Sequence, residues 1–248
     1  MNPAEYDALF ETEDSHWWFR GLWRDVGQAL ARFAPERGAG LRWLDAGSGT
    51  GGLLARLSGG GRFRLAAGID FSADGMTLSR RRGLPSLVRG DVSRLPFGGG
   101  AFDAITSIDV LCHRSVAGDE TLAEAARCLA PGGILILQVP AYQWLMSAHD
   151  RAVWSNHRFD RAEVRTLVED AGLRTKLCVY RNSLLLPLAA VRRLLARGAR
   201  CGPDRSDVGP VSPLVNAVGG AALSVESGLR RVGVSAPFGL SVFCVASR

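Results

Sequence analysis

Leu44-Asp45-Ala46-Gly47-Ser48-Gly49-Thr50-Gly51-Gly52 is the stretch on which the reading of this chain turns. It follows an apolar run at 41–46 and opens an amphipathic one, so it reads as a strand, a turn and the start of a helix. Glycines there let the backbone bend sharply and come close to a ligand. The helix start offers free N–H groups to a carboxylate or phosphate. Gly47-x-Gly49-x-x-Gly52 also satisfies a dinucleotide fingerprint, so the glycines alone leave the ligand open.

Three acids narrow the choice. Asp45 precedes the first glycine by two residues, where a carboxylate repels a pyrophosphate but pairs with an ammonium. Asp70 ends a second strand in Gly68-Ile69-Asp70-Phe71-Ser72; an acid there can take both ribose hydroxyls. Asp91 ends a third strand in Arg89-Gly90-Asp91-Val92, and its side chain can accept from an adenine amino group. An ammonium, a ribose and an adenine, met by acids on three consecutive strands, describe S-adenosylmethionine.

The rest of the chain repeats the strand–helix alternation. Strands are expected at 65–70, 87–91, 102–110, 134–139, 176–180 and 241–246. Helices are expected at 53–57, 73–82 and 120–130, the last ended by Pro131-Gly132-Gly133. Another helix starts at Asp160, with Glu163 three residues on as a reciprocal capping pair, and ends at Gly172. The four successive apolar residues Ile134-Leu135-Ile136-Leu137 suit a strand buried on both faces. Such alternation argues for a parallel sheet with helices on both faces. Two parts stand outside it: an N-terminal helical segment, 1–40, and a helical block at 182–238, split by a polar loop from 198 to 213. The block reads as a lid or insertion within a domain spanning 41–248.

The sequence resembles the class I S-adenosylmethionine-dependent methyltransferases. Asp-x-Gly-x-Gly-x-Gly matches residues 45–51, Asp70 and Asp91 match the second- and third-strand acids, and Phe102-Asp103-x-Ile105 and Leu129-x-Pro131-Gly132-Gly133 follow in the family's order. The resemblance implies a Rossmann-like seven-stranded sheet, mostly parallel with the last strand antiparallel. It implies methyl transfer by in-line displacement, leaving S-adenosylhomocysteine as product. Carried over, Gly47, Gly49 and Gly51 line the methionine moiety, Asp70 the ribose, and Asp91 with Val92 the adenine, with Asp45 and Phe71 also counted as cofactor-binding residues.

The acceptor side is expected beyond the carboxyl ends of the strands. His16-Trp17-Trp18-Phe19 sets four rings in a row; at about 100° per helical residue they cannot share one face. The segment resembles one found in methyltransferases tied to natural-product, sugar or lipid modification, as do Ala148-His149-Asp150, Asn156-His157-Arg158-Phe159 and Ala236-Pro237-Phe238-Gly239. His16, Trp17, Trp18, His149, His157 and Arg158 are therefore the candidate pocket residues. An equally serious reading has the tryptophans fasten the N-terminal helix to the sheet. His113, after the fourth strand, is the candidate general base, against a packed, hydrogen-bonded histidine. Some relatives bind a divalent metal through Glu-x-x-Glu-His here. This chain has Asp109 and Cys112 in place of the glutamates, so no metal is expected.

Composition sets the outer limits. The 248 residues are 47% hydrophobic and carry a formal charge of +6. The positive charge is almost all arginine, Lys176 being the single lysine, and is scattered without interleaved aromatics, which argues against a nucleic-acid groove. Five separated cysteines with no Cys-x-x-Cys pair argue against zinc or a disulfide framework and for a reducing cytoplasm. The start of the chain does not read as a signal peptide, and 184–196 is too short and charged to span a bilayer. Peripheral membrane contact is left open, as is a monomer or homodimer. The expected partner is a small-molecule acceptor: a secondary metabolite, a sugar or a lipid-linked compound. The alternative is a relative of the same fold that binds the cofactor without methylating. An NAD-dependent oxidoreductase is disfavoured by Asp45, Asp91 and the lack of a Tyr-x-x-x-Lys pair.

Overall fold

The computed structural model describes residues 3–36, 38–197, 209 and 211–248. Two helices come first, α1 (Pro3–Thr12) and α2 (Trp17–Phe33). There follow β1 (Leu41–Ala46), α3 (Gly52–Leu57), β2 (Phe63–Asp70), α4 (Ala73–Arg81), β3 (Leu87–Arg89), β4 (Phe102–Ile108), α5 (Gly118–Cys128) and β5 (Leu129–Pro140). The chain ends with α6 (Ala148–Ala152), α7 (Arg161–Asp170), β6 (Arg174–Arg181), α8 (Leu186–Arg197), α9 (Pro213–Arg231) and β7 (Ser241–Ser247). The seven strands form one sheet in the order β3-β2-β1-β4-β5-β7-β6. All pairings are parallel except those of β7, which runs antiparallel to both β5 and β6.

Alternate residues of the central strands feed opposite faces. Leu44, Ile105, Leu135 and Leu137 pack with Leu122 and Ala125 of α5 and Val164 and Val168 of α7. Their neighbours Trp43, Ala104, Ile134 and Ile136 pack with Leu22, Trp23, Val26, Ala29 and Leu30 of α2 and Leu54 of α3. The two-residue period of a strand thus explains the continuous apolar runs: each side chain has a core to enter. On α2 the buried positions recur at helical spacing, so the N-terminal segment is a layer of the sheet's own core.

Most element boundaries fall within two residues of those expected. The clearest difference lies at the start of β5. The helix before it stops at Cys128, and Leu129 already pairs with Phe102 before the register slips and resumes at Ala104–Ile134. Pro131-Gly132-Gly133 is therefore a bulge inside β5, not a turn before it. Gly132 takes φ +74°, and a Cβ on Gly133 would press on the Ala130 and Asp103 carbonyls at 2.8 and 3.1 Å. α7 opens with the expected reciprocal capping pair: Glu163 N–H donates to Asp160 at 2.8 Å, and the Glu163 carboxylate accepts from Asp160 N–H. Of the expected 198–213 loop, residues 198–208 and 210 lie outside the described residues, as does Cys201.

Candidate functional site

The turn after β1 owes its shape to glycines in the left-handed region: Gly47 at φ +86°, Gly49 at +51° and Gly51 at +79°. They serve different ends. A Cβ on Gly47 would overlap Val110, and one on Gly51 would meet Leu84 at 2.6 Å and Ser79 at 2.8 Å; at Gly49 nothing stands within 4 Å. Gly47 and Gly51 are thus packed from outside, while Gly49 borders open space.

Around that turn the strand ends gather carboxylates. Asp45 is 3% exposed and accepts a hydrogen bond from Thr106 Oγ1 at 2.6 Å. Burial pushes its pKa up to about 7, and the nearby Asp70 and Glu13 push in the same direction. Asp70 accepts from Gly49 N–H at 2.7 Å through one oxygen and from Ser72 N–H at 2.8 Å through the other. Its pKa is raised, burial outweighing those two bonds. Phe71, beside it, is 75% exposed. Asp91 is exposed and accepts from the backbone and hydroxyl of Ser93, and Val92 is buried next to it.

The third buried acid comes from the N-terminal segment and was not singled out from the sequence. Glu13, just after α1, accepts from Thr50 Oγ1 and from Arg82 Nη2 at 2.7 Å. Its carboxylate lies so close to the start of α3 that a Cβ on Gly52 would overlap it. Burial raises its pKa more than Thr50 and Arg82 lower it. Arg82 also donates to the Thr50 carbonyl at 3.0 Å and to Asp14 at 2.8 Å, and its guanidinium lies 4.6 Å from the centre of the Phe10 ring. Tyr6 of α1 is buried where a Cβ on Gly75 would meet both its ring and the Gly49 carbonyl at 3.0 Å. α1 therefore covers the glycine turn and is pinned there by Arg82. The glycine motif gave no sign of this, because the acid stands 32 residues before Asp45.

The ring segment is divided between two jobs. His16 caps α2, its Nδ1 accepting from Trp18 N–H at 3.2 Å, and its ring stacks 5.4 Å from that of Trp17. Burial lowers the His16 pKa. Trp17 lies on α9: its ring fills the space a Cβ on Gly219 would need, and its backbone N–H donates to the Asn216 side-chain oxygen at 2.7 Å. Trp18 is half-buried and meets the Trp17 ring edge-on at 5.7 Å.

After β4 the chain turns through Asp109, which holds φ +54°. Its carboxylate accepts from Gln138 at 3.2 Å, and burial pushes its pKa up to about 6. The Gln138 amide oxygen accepts from Arg181, which donates to Asp25 of α2 at 2.7 Å. Burial pushes the Cys112 thiol up to about 12, which rules out a ready thiolate. His113 leaves Nδ1 buried with no partner, and burial lowers its pKa against hydrogen bonds to the Trp154 and Val153 backbone. It is held as neutral imidazole.

The loop after β5 is braced internally. Arg158 is 6% exposed; Nε and Nη2 reach Asp150 at 3.0 and 2.8 Å, and Nη1 reaches the Ala141 carbonyl at 3.0 Å. Its guanidinium is thus engaged in holding the loop. His157 Nε2 contacts Glu163 at 2.7 Å, its ring edge-on to Phe159. His149 lies in α6, half-buried. Among the described residues no three His, Cys, Asp or Glu side chains are grouped to hold a metal.

Residues 44–137 match the family model of the methyltransferase domain. The demethylmenaquinone methyltransferase of Mycobacterium tuberculosis H37Rv is 36% identical over 116 residues, 46% of each chain. The chain spans about half the length of the curated relatives of this kind that it matches first. Among solved structures, a S-adenosylmethionine-dependent methyltransferase from Thermotoga maritima superposes with a TM-score of 0.60 at 18% identity, over 98% of this chain and 95% of the other. The geranyl diphosphate C-methyltransferase of Streptomyces coelicolor A3(2), solved with Mg2+, geranyl diphosphate and S-adenosyl-L-homocysteine, superposes with a TM-score of 0.59 at 18% identity, over 91% of this chain and 78% of the other. These likenesses establish the Rossmann-like methyltransferase fold.

Proposed function

We propose, from the premise that residues 44–137 are a class I methyltransferase domain, that this chain transfers a methyl group from S-adenosylmethionine to a small-molecule acceptor. One observation carries the reading: Glu13, Asp45 and Asp70 converge on a glycine turn, all three with raised pKa values. Acids whose pKa values are raised chiefly by burial, and at Asp45 also by Asp70 and Glu13, favour a cationic ligand, which lets them ionise. The same crowding disfavours the pyrophosphate of a dinucleotide.

Open space over Gly49 and an exposed Phe71 beside Asp70 fit such a ligand. Asp45 and Glu13 would hold its ammonium side, Asp70 its ribose, and Phe71, Asp91 and Val92 its adenine. Bound S-adenosylmethionine supplies an electrophilic methyl on a positively charged sulfur. The chain's own work is then to fix the nucleophile in line and exclude water. His113, neutral and with an unpartnered Nδ1, takes the proton from a hydroxyl or amine acceptor. His16, Trp18, His149 and His157 border the acceptor, with Arg158 and Trp17 holding the walls. Relatives named for demethylmenaquinone and geranyl diphosphate support the lipid-linked member of the acceptor classes.

Calorimetric titration with S-adenosylhomocysteine, with NAD as control, tests the cofactor. Saturable heat with the first and none with the second is expected. Binding of NAD alone would overturn the reading, and binding of neither would remove its basis.

A further inference from the structure

We propose that the outer face of α9 is a docking surface for an anionic lipid bilayer. α9 has two faces. Gly219, Leu223, Glu226 and Ser227 are buried on the side that packs on α2. On the opposite side Leu214, Val218, Val225, Leu229 and Val232 are exposed, Leu214 and Val232 by more than 70%. Their spacing of three, four and seven residues, with exposed Ala221 between, makes one stripe about 27 Å long. Leu184, Leu188 and Val191, at the same kind of spacing, are exposed at and before α8. Single exposed leucines and valines are ordinary; an unbroken five-turn stripe on one helix marks a surface meant to be covered.

Charge selects the occupant. Residues 182–238 contain seven arginines and three acids, which is +4 of the chain's +6. Among the described residues of the block the one acid is Glu226. It is buried, accepting from Asn182 and Ser183 N–H groups and from Arg230. The block that carries the apolar stripe is thus net positive in sequence, and Arg231, at the end of the stripe, is exposed. A second copy meeting it about a two-fold axis would set this net-positive block against itself. An anionic bilayer takes valines and leucines into its boundary and arginines onto its headgroups. Such attachment lies in the plane of the membrane: no described helix is long and apolar enough to cross one. Trp17 and Asn216 tie α9 to the joint between α1 and α2, so the surface is mechanically joined to the segment that covers the glycine turn.

The test is co-sedimentation of the full chain with vesicles of phosphatidylcholine alone and of phosphatidylcholine with phosphatidylglycerol. The chain is expected to pellet with the anionic vesicles and to be released by salt. A Val218→Asp/Val225→Asp variant should bind about tenfold more weakly or worse, with an unchanged circular dichroism spectrum and melting temperature. Arg231→Glu keeps the apolar stripe and should weaken binding at low salt. Absence of pelleting, equal pelleting on neutral vesicles, or unaltered binding by Arg231→Glu would overturn the proposal. So would a dimer in sedimentation that the double variant splits while lipid is ignored. None of these readouts depends on the cofactor, so failure here and failure of the methyltransferase reading are separable.

Discussion

Arg82 reaches Glu13 across 2.7 Å, joining the end of α4 to the chain just after α1. Both side chains are nearly buried, 10% and 6% exposed, so loss of one partner strands a charge away from water. Arg82→Ala should destabilise the protein by about 3 kcal/mol, read by chemical denaturation. It should also hasten cofactor release, since the same guanidinium grips the Thr50 carbonyl of the glycine turn. Glu13→Gln keeps the volume and should lose cofactor affinity with a smaller loss of stability. A stable Arg82→Ala protein with unaltered cofactor dissociation would show α1 to be a passive neighbour.

The sheet was legible in the sequence because its strands are continuous apolar runs and its turns carry glycine, both local signals. Asp45, Asp70 and Asp91 were legible as strand-end acids for the same reason. Glu13 and Arg82 were not, since their meeting depends on α1 folding back over α4, and no periodicity encodes that docking. Arg158 illustrates the converse difficulty. The resemblance of its loop to that of other methyltransferases suggested a pocket, but Asp150, eight residues earlier, engages its guanidinium. Trp17 reads from the sequence as a pocket residue or a fastening to the sheet, but its contact with Gly219 of α9, two hundred residues on, is visible only in three dimensions.

Cofactor affinity should depend on pH through Asp45. Its pKa is raised to about 7, so below that pH the ligand-free site holds a proton. A cationic ligand prefers the carboxylate and expels it. Affinity for S-adenosylmethionine should then rise with pH, by at most about tenfold per unit, and level off above 7. For folding the sign is opposite. The native state holds the proton that the unfolded chain has lost, so Asp45 subtracts stability as pH climbs from its unfolded value toward 7. Asp45→Asn should therefore melt higher than the parent at pH 8 while binding S-adenosylmethionine more weakly. Titrations at pH 6, 7 and 8, with melts of both proteins, check the two signs together.

His113 is held below the ordinary histidine pKa by burial, and its Nδ1 is unpartnered. If it is the base, the acid limb of kcat should lie below the usual imidazole range. His113→Gln should lower kcat by about a hundredfold with the S-adenosylhomocysteine affinity unaltered. Full activity of His113→Gln on a competent acceptor would make the histidine a packing residue.

Gly47 and Gly49 share a left-handed backbone but face different surroundings, so substitution separates fold from ligand. At Gly47 a methyl group runs into Val110; Gly47→Ala combines φ strain of about 1–2 kcal/mol with that overlap and should melt well below the parent. At Gly49 nothing stands within 4 Å, and only the φ term remains. Gly49→Ala should fold with a modest loss of stability yet bind S-adenosylhomocysteine poorly, because its methyl projects into the space left beside Asp70. Paired thermal melts and calorimetric titrations read the difference. If Gly49→Ala bound the ligand as the parent does, the open side of the turn would not be where the cofactor lies, and Asp45 and Glu13 would need another explanation for their crowding.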